Sequence, residues 1–209
     1  MITIINAIQM NTKINILMMI GILPIYMSGQ NQFPIKLAIG NEATTVPFTT
    51  FINESLHPTI QLGTEYTYRN RKHSELYQTG NIGYIYHKHL YQGIYINTGI
   101  GYDYKTGFGL KLKSNLEVGY LHTFTTQDEF QFENGEYVNG ADNGNSRVMP
   151  SLSVGVGFAF NKDGKVFSEL FVLYKSWIEY PYSPGFIPLM SHTIIEIGYK
   201  FYLKSHGKK

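Results

Sequence analysis

A chain of 209 residues with 43% hydrophobic side chains and a formal charge of +2 is long enough for one folded unit with a sizeable buried surface. The absence of cysteine excludes a disulfide framework, a cysteine-bound zinc site, a thiol nucleophile and the acylated cysteine of a lipoprotein. A near-neutral balance without basic runs excludes the clustered Lys and Arg that nucleic-acid binding needs.

The first element is an address. From Met10, Lys13 supplies a charge, Ile14 to Met27 form an apolar run, and Met27-Ser28-Gly29 offers small residues before Gln30. The run is short for a span of about 20 residues and contains Pro24, so residues 1–29 are predicted to be a cleaved signal peptide rather than an anchor. Residues 1–9 lie upstream of this signal and add no charge to it, which leaves Met1 and Met10 as alternative starts of translation, and the mature domain is expected to cover 30–209.

After the signal, period-two alternation continues nearly to the end, the mark of strands whose two faces meet different surroundings. In the first strand Phe33, Ile35, Leu37 and Ile39 oppose Lys36, Ala38 and Gly40. In the second, Ile60, Leu62, Tyr66 and Tyr68 oppose Gln61, Gly63, Glu65 and Arg69. The third sets Ile82, Tyr84 and Tyr86 against Asn81, Gly83 and His87, with Ile85 breaking the pattern. The fourth sets Ile94, Ile96, Ile100, Tyr102 and Tyr104 against Gly93, Asn97, Gly99, Gly101 and Asp103. Leu110, Leu112, Leu116, Val118 and Tyr120 oppose Lys111, Lys113, Asn115, Glu117 and Gly119 in the fifth, and Val148, Leu152, Val154, Val156, Phe158 and Phe160 oppose Ser151, Ser153, Gly155, Gly157 and Asn161 in the sixth. The seventh is mixed: Val166, Leu170, Val172, Tyr174 and Ile178 oppose Glu169, Lys175 and Glu179, but Phe167, Phe171, Leu173 and Trp177 share the charged side. Ile195, Ile197, Tyr199, Phe201 and Leu203 oppose His192, Glu196, Gly198 and Lys200 in the eighth.

Alternation alone fits either a secreted, lipocalin-like barrel with an apolar interior or a membrane barrel with a polar one. Three features choose the second. The polar face is rich in Gly, Ser, Ala and Asn, as the narrow bore of an eight-stranded barrel demands, whereas the opposite face is uniformly bulky. Charges on the small-residue face balance: six cations (Lys36, Arg69, Lys111, Lys113, Lys175, Lys200) stand against six anions (Glu65, Asp103, Glu117, Glu169, Glu179, Glu196), as a packed polar core requires. Connections also alternate in length, with long ones at Asn41–His57, Thr126–Ser146 and Tyr180–Ser191 and tight ones at Asn70–Lys72, Lys105–Thr106 and Lys162–Gly164, the pattern of outer loops and periplasmic turns. The even strands close with aromatic pairs, Tyr66 and Tyr68, Tyr102 and Tyr104, Phe158 and Phe160, Tyr199 and Phe201, which predict a periplasmic-end girdle at the lipid interface. The fold class is therefore all-β, an eight-stranded antiparallel up-and-down transmembrane β-barrel.

With these strands, and with His57-Pro58-Thr59-Ile60-Gln61-Leu62-Gly63-Thr64-Glu65-Tyr66 and Ile195-Glu196-Ile197-Gly198-Tyr199-Lys200-Phe201, the chain resembles the small OmpA-type barrels, in particular the outer-membrane β-barrel proteins of Bacteroidota. It departs from the common proteobacterial ending in a terminal aromatic, because Lys204 to Lys209 follow the last strand. The resemblance implies a bacterial outer-membrane location, lipid as surroundings and assembly by the barrel-insertion machinery, and it carries over no catalytic or ligand residue.

Chemistry is sparse. A lipid-modifying barrel would need Ser or His with a carboxylate at the outer surface, where the candidates are His122 with Asp128 and Glu129, and His192 beside Ser191. None carries a motif, and rim residues bonded to water or backbone explain them more simply. His87 and His89 could ligate a metal, but no third ligand is evident in the sequence, and Asp142-Asn143-Gly144-Asn145 within the acidic stretch Gln127–Asn145 lacks EF-hand spacing. The expectation is a surface barrel without cofactor, metal or catalysis, presenting loops 41–57, 126–146 and 180–191 to a partner or ligand; the alternatives are a lipid-modifying enzyme and a narrow channel for small solutes.

Overall fold

The computed structural model describes residues 32–49, 56–127, 130–133, 135–139, 142–162, 165–183 and 186–204. The segment 1–29 predicted as a signal peptide, Asp128, Glu129 and the residues after Lys204 lie outside them.

The described strands are β1 (Gln32–Ala43), β2 (Pro58–Asn70), β3 (Ser74–Tyr86), β4 (Tyr91–Lys105), β5 (Leu110–Thr125), β6 (Phe130–Glu133), β7 (Glu136–Asn139), β8 (Asn145–Lys162), β9 (Lys165–Glu179) and β10 (Met190–Lys204). Eight of them close into an all-antiparallel barrel in the order β1-β10-β9-β8-β5-β4-β3-β2, with Gln32 against Lys204 at one end of the seam and Ala43 against Thr193 at the other. Closure pairs each of these eight strands on both sides and leaves the barrel itself no open edge. Residues 71–73 and 106–109 form short links at the turn end, where β8 also meets β9, and β1 and β2, β3 and β4, β5 and β8, and β9 and β10 are joined at the loop end.

One long connection is not irregular throughout. Strands β6 and β7 form a hairpin of their own between β5 and β8, with Glu133 paired to Glu136. Between the two arms Gly135 has φ 92°, the positive φ that such hairpins favour.

The two faces are inverted relative to a water-soluble barrel. Leu116, Ile39, Ile100, Leu152 and Val154 point outward, Leu116 at 67% exposure, while Lys175, Lys200, Glu169 and Glu196 are at 2% or less. Glycines on the inner face make room for aromatics that cross the bore: a Cβ at Gly83 would lie 2.3 Å from the Tyr95 ring, at Gly101 2.2 Å from Tyr77, and at Gly198 2.2 Å from Phe171. This pairing of a small residue with a ring on a neighbouring strand fills a barrel too narrow for two bulky side chains at one level. In the loop-end half, Ile85, Tyr91, Tyr95, Leu121, Met149, Trp177 and Ile194 form an apolar cluster. Ile85 thus departs from alternation because it points inward, and Trp177 shares the charged side because that side is the interior.

Two bulges correct the strand-by-strand reading. Pairing of β2 with β3 shifts between Thr67 and Arg69, so that Arg69 stands opposite Leu76 and Asn70 opposite Glu75. Directly paired residues share a face, and the extra residue therefore turns Arg69 outward, where it is exposed rather than in the lumen. A second shift, where Phe160 pairs with Ser168 and Asn161 with Val166, leaves Phe167 unpaired and turns it outward at 54% exposure, not toward the charged side. The charge tally changes accordingly. Five buried lysines, at 36, 111, 113, 175 and 200, face eight buried carboxylates, because Glu42 and Glu75 also lie inside. The half-buried Lys105 and Arg147 join the cationic side.

Candidate functional site

The polar interior divides into three groups along the barrel axis. Nearest the turn end, Lys113 Nζ donates to Asp103 (2.6 Å) and Glu169 (2.8 Å), Lys111 Nζ to Glu169 (2.7 Å) and Lys200 Nζ to Glu65 (2.6 Å). The Tyr77 hydroxyl donates to Asp103 at 2.7 Å, tying the ring that fills the Gly101 notch into the ionic cluster. Near mid-barrel, Lys175 Nζ lies 3.3 Å from Glu117 and 3.4 Å from Glu196, while Thr79 and Asn81 donate to Glu117 at 2.9 and 3.0 Å. Lys36 is buried beside them. Lys111, Lys113, Lys175 and Lys200 each lie within ion-pair distance of a buried carboxylate, the condition under which an ionic interior is tolerable.

The third group lies at the loop end and brings together residues distant in sequence. Glu42 is the last residue but one of β1, His57 precedes β2, His87 follows β3, Glu179 ends β9 and His192 is the third residue of β10, and all five are buried. His192 Nδ1 lies 2.7 Å from Glu42 Oε1 and its Nε2 lies 3.0 Å from Glu179 Oε2, so a doubly protonated ring can donate to both carboxylates. Trp177 stacks on His192 with centroids 4.1 Å apart and planes 10° apart, fixing the ring between its acids. Arg147 is in ionic contact with Glu179, and its guanidinium lies over the Tyr91 and Tyr182 rings at 5.9 and 5.2 Å.

On the other side of Glu42, His57 and His87 stack with ring centroids 3.6 Å apart. His57 Nδ1 lies 3.2 Å from the Glu42 carbonyl oxygen and 3.7 Å from Glu42 Oε2. The His89 amide donates to His87 Nδ1 at 3.3 Å. Burial holds the His87 imidazole below its ordinary value; the Glu42 carboxylate opposes this, and the neighbouring His57 and His192 reinforce it.

The residues weighed from the sequence fall as follows. Lys36, Glu65, Asp103, Lys111, Lys113, Glu117, Glu169, Lys175, Glu179, Glu196 and Lys200 are buried in the bore, and Arg69 is not. Tyr68, Tyr102, Tyr104, Phe158, Phe160 and Phe201 are exposed on the outward face toward the turn end, with Tyr66 and Tyr199 half-exposed among them. Along their strands Tyr66 meets Tyr68, Phe158 meets Phe160 and Tyr199 meets Phe201 edge to face at 5.4, 5.3 and 4.6 Å. His192 and Ser191, adjacent in sequence, are separated by the pleat: His192 is turned inward, and Ser191 donates to the Thr45 carbonyl at 3.1 Å. His122 is half-buried on the outward face, with Nδ1 3.2 Å from the Tyr120 hydroxyl, which lies 2.8 Å from Ser146 Oγ. Asp142 accepts from the backbone amides of Thr125 (2.6 Å) and Gly144 (2.7 Å), the behaviour of a turn-closing aspartate. His89 is exposed beside the buried His87. Glu42, His57 and Arg147 did not emerge from the sequence. Extending the inward register 36, 38, 40 by one step reaches Glu42, and extending 61, 59 reaches His57.

No family model matches the chain, and no curated protein is similar to it in sequence. Solved structures are similar in fold. Neisserial surface protein A (NspA) shares 10% identity over 81% of this chain and 95% of its own, with a TM-score of 0.53. The N-terminal barrel domain of Pseudomonas aeruginosa OprF shares 12% identity over 83% and 98%, with a TM-score of 0.47, and the outer membrane enzyme PagL 12% over 80% and 98%, with a TM-score of 0.46.

Proposed function

We propose that this chain is an integral barrel of a bacterial outer membrane, of the small OmpA-type group and within it of the kind found in Bacteroidota, inserted by the barrel-insertion machinery. In this reading it works without catalysis, through the surface its loop end presents to a partner or ligand. One observation carries the membrane assignment: bulky apolar side chains cover the outside while lysines and carboxylates fill the inside. Water would leave that outer face uncovered, whereas lipid satisfies it, and closure leaves no backbone edge unpaired in the hydrocarbon. NspA, whose fold the chain shares, is a surface protein. Outward aromatics toward the turn end fit one headgroup interface. Outer-membrane fractionation with heat-modifiable gel migration tests the assignment; a folded, faster-migrating form in the outer-membrane fraction is expected, and a form recovered in the soluble fraction would overturn it.

Non-catalytic action is favoured by the loop-end chemistry. Both nitrogens of His192 face carboxylates inside the barrel, and Ser191 is turned away from it. A second reading, a lipid-modifying enzyme, rests on the outward chain Ser146–Tyr120–His122, in which a tyrosine stands between nucleophile and base. Lipid A mass spectra from cells with and without the protein separate the two: identical spectra are expected, and a modification lost with His122→Ala would favour the enzyme. A channel is disfavoured because the ionic groups and the apolar cluster fill the bore. Planar-bilayer recordings should therefore show no stable conductance steps.

A further inference from the structure

We propose that Glu42, His57 and His87 form a divalent-cation site, suited to zinc, at the loop end of the lumen. Sequence spacing alone paired His87 with His89 and offered no third ligand. The fold replaces that pair with residues from three different strand ends, whose candidate donor atoms all lie within 4.8 Å of one another and whose side chains are all buried. Two imidazoles and one carboxylate are the ligand set of zinc sites that keep a fourth position for water or a ligand. Zinc bonds of about 2.0–2.2 Å put tetrahedral donors about 3.4 Å apart, so ligation draws the donor atoms together and splays the stacked His57 and His87 rings about the ion.

The acid is poised for this role. Glu42 Oε1 is taken by His192, but Oε2 is buried without a hydrogen-bond partner and faces His57. A buried carboxylate oxygen left in that state is unfavourable, and a cation removes the penalty. Supporting contacts already exist. His57 Nδ1 lies 3.2 Å from the Glu42 carbonyl oxygen, a contact of the kind by which backbone carbonyls orient metal-bound histidine rings. For His87, ligation uses the Nδ1 lone pair that now accepts the His89 amide at 3.3 Å, a long and weak bond. Beyond the ligands, His192 joins Glu42 to Glu179, which Arg147 contacts, so the carboxylate is held from behind. A bound ion would clamp the β1–β2 connection to the β3–β4 turn, because Glu42 and His57 bracket the first and His87 begins the second.

Titration of zinc chloride into the full chain, refolded in detergent and followed by calorimetry, tests the proposal. One zinc per chain is expected, with Glu42→Gln, His57→Ala and His87→Ala each weakening binding by on the order of a hundredfold or more, while His73→Ala and His122→Ala bind like the parent. No stoichiometric binding by the parent would overturn it, as would binding that survives the three ligand substitutions or disappears with either control. Should the ligand variants fail to fold, zinc X-ray absorption on the parent decides: two imidazole ligands in the first shell are expected, and fewer than two would reject the site.

Discussion

Glu169 accepts hydrogen bonds from Lys111 and Lys113 and lies 3.6 Å from Lys200, so one carboxylate offsets the charge of three buried ammonium groups. Removing it strands like charges away from water. Glu169→Gln is expected to destabilise the barrel by about 3–5 kcal/mol, measured by urea unfolding in detergent, whereas Glu169→Gln combined with Lys113→Met should recover part of the loss. Additive losses in the double variant would deny the coupling. At this scale the sequence was legible wherever alternation ran unbroken, as from Lys111 to Glu117, because a side chain's face follows from its parity. Arg69 was misread because one extra residue in β2 reverses parity, and nothing in Thr67-Tyr68-Arg69 announces a bulge.

At the scale of strands, glycine marks positions where a side chain would run into the neighbouring backbone. A Cβ at Gly155 would lie 2.0 Å from the Val172 carbonyl oxygen, in the middle of the β8–β9 ladder. Gly155→Val therefore pushes two central strands apart, and the expected result is loss of the heat-modifiable folded band; a variant that folds with parental yield would show that the sheet accommodates a side chain there. Element boundaries explain why the histidine cluster escaped the sequence reading. The first strand was ended at Gly40 and the second begun near Ile60, but pairing runs on to Ala43 and back to Pro58, and the residues that converge at the loop end sit on those extensions or just beyond them. Alternation gives the face of a residue; register, which depends on partners far along the chain, gives its level in the barrel. The β6–β7 hairpin was missed for a different reason: each arm has only four residues, too few to display a period.

For the molecule as a whole, the closed barrel and the side that faces inward could both be read from residue size, charge and connection length, because an eight-stranded bore leaves little freedom in what may fill it. Depth in a bilayer adds an energetic expectation. Leu116 lies near the middle of β5 on the outward face, and Leu116→Arg should lower folding stability in bilayers by about 2–4 kcal/mol, whereas a water-exposed arginine would leave stability nearly unchanged. The most direct test of the inverted architecture uses the chain's freedom from cysteine, which lets single cysteines carry nitroxide labels along residues 110–120 of β5 in reconstituted bilayers. With lipid outside, labels at Leu112, Leu116 and Val118 are highly accessible to oxygen and shielded from a water-soluble nickel collider, and those at Lys113, Asn115 and Glu117 are shielded from oxygen. Ready collision of the nickel reagent with labels at Leu112, Leu116 and Val118 would contradict the account.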